Sequence, residues 1–145
     1  NVEVTAKRDI SEHRDVELLV RDFYTRVYKD SVLREMFEEV AKIDLEEHLP
    51  KMNRFWNTVL FGEHSYKGNP MQIHLDLDRL KSLNDCHFVR WLSLFRLTVD
   101  ELFSGPVAER AKHAAERVNK NIEWGVKRRR AMESEALLGC RDKPI

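Results

Sequence analysis

Apolar residues recur at intervals of three and four along most of the chain, the spacing that lines one face of an α-helix. Val16, Leu19, Val20, Phe23, Tyr24 and Val27 form the first stripe and predict an amphipathic helix from about Ser11 to Lys29. Asp30 and Ser31 open a shorter turn that brings Val32, Leu33, Met36 and Phe37 inward, before a loop near Val40 to Ile43. Asp44 followed by Glu47 resembles a capping box, and Leu45, His48, Leu49, Met52, Phe55, Trp56, Val59 and Leu60 keep helical spacing as far as Phe61-Gly62. Pro50 would remove a backbone bond within that run, so the first turn is expected to be loop-like and regular helix to begin near Leu49.

A polar loop is expected from Glu63 to Asn69. There Gly68 suits a turn, Asn69 a side-chain cap and Pro70 a first helical position, so a brief helix carrying His74 starts at about Pro70. Asp76 to Leu83 lacks clear periodicity and reads as loop or one loose turn. Asn84 can cap the next helix, whose face of Phe88, Trp91, Leu92, Phe95, Val99 and Leu102 is the strongest periodic signal present and predicts a central element. Ser104-Gly105-Pro106 stops that helix and starts the last one. The last helix has a narrow stripe of Val107, Ala111, Ala114, Val118 and Ile122, and Gly125 either ends or weakens it.

Composition changes this all-helical picture little. At 145 residues the chain reads as one domain, able to bury roughly two-thirds of its unfolded surface. Charged residues make up 34% and balance at 25 against 25, so no whole-protein field draws in nucleic acid or an anionic membrane, and neither is expected as a partner. Two cysteines, Cys86 and Cys140, lie too far apart in sequence for a structural zinc motif or covalent haem attachment, and they fit a reducing compartment. With no membrane-length apolar run and no signal-peptide pattern at the N-terminus, the expected location is cytoplasmic. The basic run Lys127-Arg128-Arg129-Arg130 has no interleaved aromatic and reads as a solvated helix end.

The chemistry lies in polar-tipped rings on inner faces: Tyr24, His48, Trp91 and His74. A buried donor without a partner costs about 1–3 kcal/mol, so these rings should converge on one another, on water or on a ligand. His74, between Ile73 and Leu75, is either a hydrogen-bonded core residue or, as a neutral imidazole in an apolar space, a ligand for iron or zinc. The phosphate-binding glycine loop, the nucleophile elbow and the paired-histidine zinc motif are missing, which removes support for hydrolysis and phosphoryl transfer. His13, His64, His87 and His113 read as surface histidines, and Trp56 and Trp124 as packing residues. Cys86 at a helix start has either a lowered pKa or an inert thiol.

Five motifs stand in order: Phe23-Tyr24; Phe37; His48-Leu49-Pro50-Lys51-Met52 leading into Phe55-Trp56; Tyr66-Lys67-Gly68-Asn69-Pro70 ending in His74-Leu75; and Phe88 with Trp91-Leu92 and Leu94-Phe95. Together, over about Val16 to Ile122, they resemble the group III truncated haemoglobins. The resemblance implies a truncated globin, a two-over-two helical sandwich around non-covalent haem b. It places the domain at residues 1–126 and leaves 127–145 as a basic C-terminal extension, helical or disordered. It also implies His74 as the proximal iron ligand and Tyr24, His48 and Trp91 as the distal residues that stabilise a bound gas. Phe37 would pack on the haem face, Met52, Phe55 and Phe95 would line apolar walls, and Lys51 and Tyr66 would meet the propionates, although a solvated Lys51 is also open. His48 is either a third donor or a gate, and the ring nitrogen of His74 away from iron needs an acceptor such as a backbone carbonyl.

The function implied is binding of dioxygen, nitric oxide or carbon monoxide at a five-coordinate iron in a monomer. Nitric oxide detoxification or peroxide-type redox chemistry would extend it. No flavin or nicotinamide fingerprint is present, so turnover would need an external reductase. Two other readings stand beside it: a haem-free helical interaction module using the basic tail, and a gas sensor or store without catalysis.

Overall fold

The computed structural model describes residues 6–141, with backbone alone for 140 and 141; the end of the expected extension, 142–145, lies outside them. Among the described residues there are six α-helices, one π-helical segment and no strand. The helices are α1 (His13–Lys29), α2 (Ser31–Arg34), α3 (Leu45–Phe61), α4 (Pro70–Leu80), α5 (Asp85–Leu102) and α6 (Pro106–Arg141). The π-helical turn spans Glu35–Val40 and carries Phe37. Helix α1 packs on α3, and α5 on α6; α1 against α5 and α3 against α6 join the pairs into a two-over-two sandwich. No described helix is long and apolar enough to cross a membrane.

The apolar stripes of α1 and α5 meet as their spacing requires. Val16, Leu19, Val20, Phe23 and Val27 are buried together with Phe95, Val99 and the small Ala108, Ala111, Ala114 and Ala115 of α6. A second, separate cluster gathers Met36, Leu83, Phe88, Ile122 and Val126, with Met71, Leu75 and Leu77 of α4 half-buried against it. The core thus divides into two apolar masses rather than filling one continuous interior.

Capping residues set most boundaries. Asp30 accepts from the N–H groups of Val32 and Leu33, each at 3.0 Å, and starts α2. Asn84 accepts from Cys86 at 3.0 Å and starts α5. Asp9 reaches across the chain to accept from Val107 at 2.9 Å and Ala108 at 2.8 Å, satisfying two of the orphan donors at the start of α6. Gly62, with φ at 69°, ends α3 in the left-handed conformation that glycine tolerates.

Two expectations need correction, and an alternative left open at Gly125 is resolved. Helix α3 begins at Leu45, not Leu49: the Asp44 side chain accepts from Glu46 at 3.0 Å, the Asp44 carbonyl accepts from His48 at 2.9 Å, and Pro50 sits within the helix. The interior proline is tolerated because this well-capped first turn is held independently of the bond Pro50 lacks. Helix α4 continues to Leu80 through the stretch read as loop, because Leu75, Leu77 and Asp78 all face protein rather than water. Helix α6 does not end at Gly125: a Cβ there would lie 2.5 Å from Met71 Sδ, so the glycine marks where α4 crosses close to α6.

Candidate functional site

Helix α1 delivers Tyr24 to the interior, 5% exposed, with its ring edge-on to Phe23 at 5.1 Å. The Tyr24 hydroxyl shares a hydrogen bond with Nε2 of His48, one turn into α3, at 2.9 Å. Burial pushes the Tyr24 phenol well above its ordinary value, so it stays a donor. Burial first, then the nearby Lys51 and His74, push the His48 imidazole down to about 4, so it stays neutral near pH 7.

Aromatic packing holds this pair in place. Phe37 stands edge-on to Tyr24 at 5.7 Å and to His48 at 6.3 Å. Trp91 of α5 is edge-on to Phe23 at 5.4 Å and stacks on Phe95 at 5.6 Å with planes 10° apart. Phe95 in turn stacks on Trp56 at 4.7 Å. Phe95 is 0% exposed and backs the Trp91 indole. Trp91 itself is half-buried, and its indole N–H makes no hydrogen bond among the described residues.

Met52 and Phe55 of α3 are half-buried, and Phe55 meets Tyr66 edge-on at 5.2 Å. Lys51 is exposed one turn from His48. Tyr66 is half-buried, folded over Gly68, with its phenol pushed up by burial.

Helix α4 presents His74. Asn69 accepts from Gln72 at 3.1 Å, Pro70 fills the first helical position, and the Pro70 carbonyl accepts from His74 Nδ1–H at 2.6 Å. That bond fixes the tautomer and leaves the Nε2 lone pair free. Burial lowers the His74 pKa against the opposing pull of Pro70, so the ring is neutral near pH 7. Among the described residues no group of three or more His, Cys, Asp or Glu could hold a bare metal ion. A metal on His74 would therefore bring its own remaining donors, as a porphyrin does. The residues fit such a group: a neutral imidazole with a free nitrogen, half-buried apolar side chains from both core clusters, and polar rings nearby.

Several sequence readings fall elsewhere. His87 is not a surface histidine but 7% exposed, and its Nδ1 accepts from the Asn84 N–H at 3.1 Å as part of the α5 cap. Trp124 is 62% exposed with Arg128 over its ring at 5.0 Å, so it is no core packing residue. The Cys86 thiol is exposed and accepts from Arg90 Nε at 3.2 Å. The basic run is not wholly solvated: Arg129 and Arg130 turn inward onto Asp78, a buried acid that the sequence reading passed over. Its signal was a charge placed three residues after Leu75, on the inner face of α4.

Comparison with known proteins agrees with this architecture. The family model for bacterial-like globins matches residues 8–124. The chain is 29% identical over 101 residues to the group 3 truncated hemoglobin ctb of Campylobacter jejuni, covering 68% of this chain and 77% of that one. A crystal structure of the group III truncated hemoglobin from Campylobacter jejuni superposes with a TM-score of 0.65 at 27% identity, covering 80% of this chain and 94% of the other.

The depressed imidazole has a measurable consequence. Unfolded His48 takes a proton near pH 6.5 and folded His48 only near 4, so acidification through that window favours the unfolded chain. The haem-free protein should lose about 1–2 kcal/mol from this group between pH 6.5 and 4, after allowing for partial solvent screening. Chemical denaturation of native protein and His48→Leu at both pH values checks it: the variant should show a smaller drop.

Proposed function

Because the chain belongs to the bacterial-like globin family, we propose that it binds haem b without a covalent bond, on Nε2 of His74, and that Tyr24, His48 and Trp91 form the opposite, gas-binding side. Globins bind haem and diatomic gases, and what supports this particular placement is the bond from His74 Nδ1–H to Pro70. It leaves one neutral, oriented nitrogen as the donor. The iron porphyrin would supply an open coordination position and one-electron redox chemistry.

The chain's own residues then have distinct tasks. The Pro70 carbonyl holds the His74 ring and raises its basicity as a ligand. Met52, Phe55, Leu75 and Leu77 exclude water and supply apolar contact. Phe37 braces both Tyr24 and His48. The Tyr24 hydroxyl, spent on His48 here, is a preorganised donor that can turn to a polar diatomic ligand, and the free Trp91 N–H is a second. Lys51 and Tyr66 are the candidates for the carboxylates at the porphyrin edge.

Two donors held among buried and half-buried aromatic rings suit chemistry on a retained gas better than its rapid release. We therefore favour conversion of nitric oxide and dioxygen to nitrate. One molecule of each plus one electron gives one nitrate ion, and an external reductase would deliver the electron.

Purified protein should show a haem absorption spectrum that His74→Gly abolishes and added imidazole restores; an unchanged spectrum in His74→Gly would assign the ligand elsewhere. Tyr24→Phe should speed dioxygen release roughly tenfold, the worth of one hydrogen bond of about 1.5 kcal/mol, as read by stopped-flow spectroscopy. Mixing dioxygen-loaded protein with nitric oxide should yield nitrate faster than free haem does; an equal rate would leave only gas binding.

A further inference from the structure

Helix α4 leans on α6 for its main packing against the rest of the fold, so whatever ties these two helices also places His74. One tie is the close crossing of Met71 and Gly125. The other is polar and lies one turn beyond His74. The Asp78 carboxylate, with its side chain 3% exposed, accepts from Leu83 N–H at 2.7 Å, from Arg129 Nη2 at 2.9 Å and from Arg130 Nε at 3.1 Å. Arg130 Nη2 bridges the same carboxylate and the Leu83 carbonyl. Arg129 Nη1 donates to the Leu75 carbonyl at 2.6 Å, on the residue that follows His74, and its Nε lies 3.6 Å from Glu133.

Both arginines lie beyond residue 124, where the match to the family model ends. The Pro70 bond orients the His74 ring relative to its own helix only. It does nothing to hold that helix relative to α1, α3 and α5. Taking the reading of His74 as iron ligand as given, we propose that Arg129 and Arg130 are positioning residues for His74: by clamping Asp78 and the Leu75 carbonyl to α6, they fix the height and tilt at which the imidazole meets the iron.

A clamp that merely stabilised the fold would shift the melting temperature and nothing else. A positioning clamp must also alter the iron–imidazole bond. The test uses the full chain with haem, comparing the native protein with Arg129→Gln and Arg130→Gln, and with Arg128→Gln as a control on the exposed face of the same helix. Resonance Raman spectroscopy of the ferrous form reads the iron–imidazole stretch, and transfer to an excess of a haem-free scavenger protein reads haem loss. Arg129→Gln and Arg130→Gln should shift and broaden the stretch and speed haem loss roughly tenfold, as loss of an outer partner of a metal ligand does, while Arg128→Gln changes neither. Should either variant fail to fold, Arg129→Lys keeps the charge but loses the fork and should move the same two readouts in the same direction. A stretch and a haem-loss rate unchanged within twofold, with only the melting temperature lowered, overturns the proposal and leaves His74 as ligand. A native protein with no such stretch, or one that survives His74→Gly, overturns the ligand reading and this proposal with it.

Discussion

A single hydrogen bond, from Nδ1–H of His74 to the Pro70 carbonyl, determines what the rest of the site can be. It occupies one nitrogen, fixes the tautomer and turns the other nitrogen into a lone-pair donor, while burial keeps the ring from protonating. The local sequence makes the bond possible. Pro70 starts the helix and has no N–H to offer, but its carbonyl lies four residues before His74, within reach of both the backbone and the side chain of that residue. The histidine's tautomer and ring orientation are thus set by its own helix.

The same low-dielectric setting acts on a phenol and a second imidazole. Burial raises the Tyr24 pKa and lowers that of His48, so each favours the neutral form and the two share one hydrogen bond. Neither could be placed with this accuracy by α1 and α3 alone. The edge-on contacts of Phe23 and Phe37, and the stacked series Trp56, Phe95 and Trp91, lock the rings by shape. The larger apolar cluster therefore serves Tyr24 and Trp91 as scaffold.

The division of the core into two clusters also explains the length of α6. Its first half, small and apolar, packs closely under α5, whereas its second half reaches past the larger cluster to meet α4. Asp78 is desolvated, a cost that the two arginines and the Leu83 N–H more than offset, since the carboxyl is held below its ordinary pKa despite burial. A buried carboxylate so fully partnered gives the α4–α6 contact a defined register, where apolar packing alone would let the helices slide.

What the amino-acid order determined by itself was local. The stripes of α1 and α5, the Asn69 and Asn84 caps and the Pro70 start follow from spacing and from backbone groups a few residues away, and the order of Tyr24, His48, His74 and Trp91 among their neighbours already resembled a globin. What needed the tertiary structure was every contact whose partner lies far along the chain. Asp78 looked like a loop residue because its arginines follow 51 and 52 positions later, and Asp9 gave no hint that it caps a helix 98 residues on. Gly125 could be read as a helix end or a weak point because Met71, which requires its missing side chain, belongs to another helix. Helical periodicity placed Phe95 on an inner face without saying that it stacks between Trp56 and Trp91. Periodicity and capping are short-range physics; desolvation and close packing are settled only when distant segments arrive.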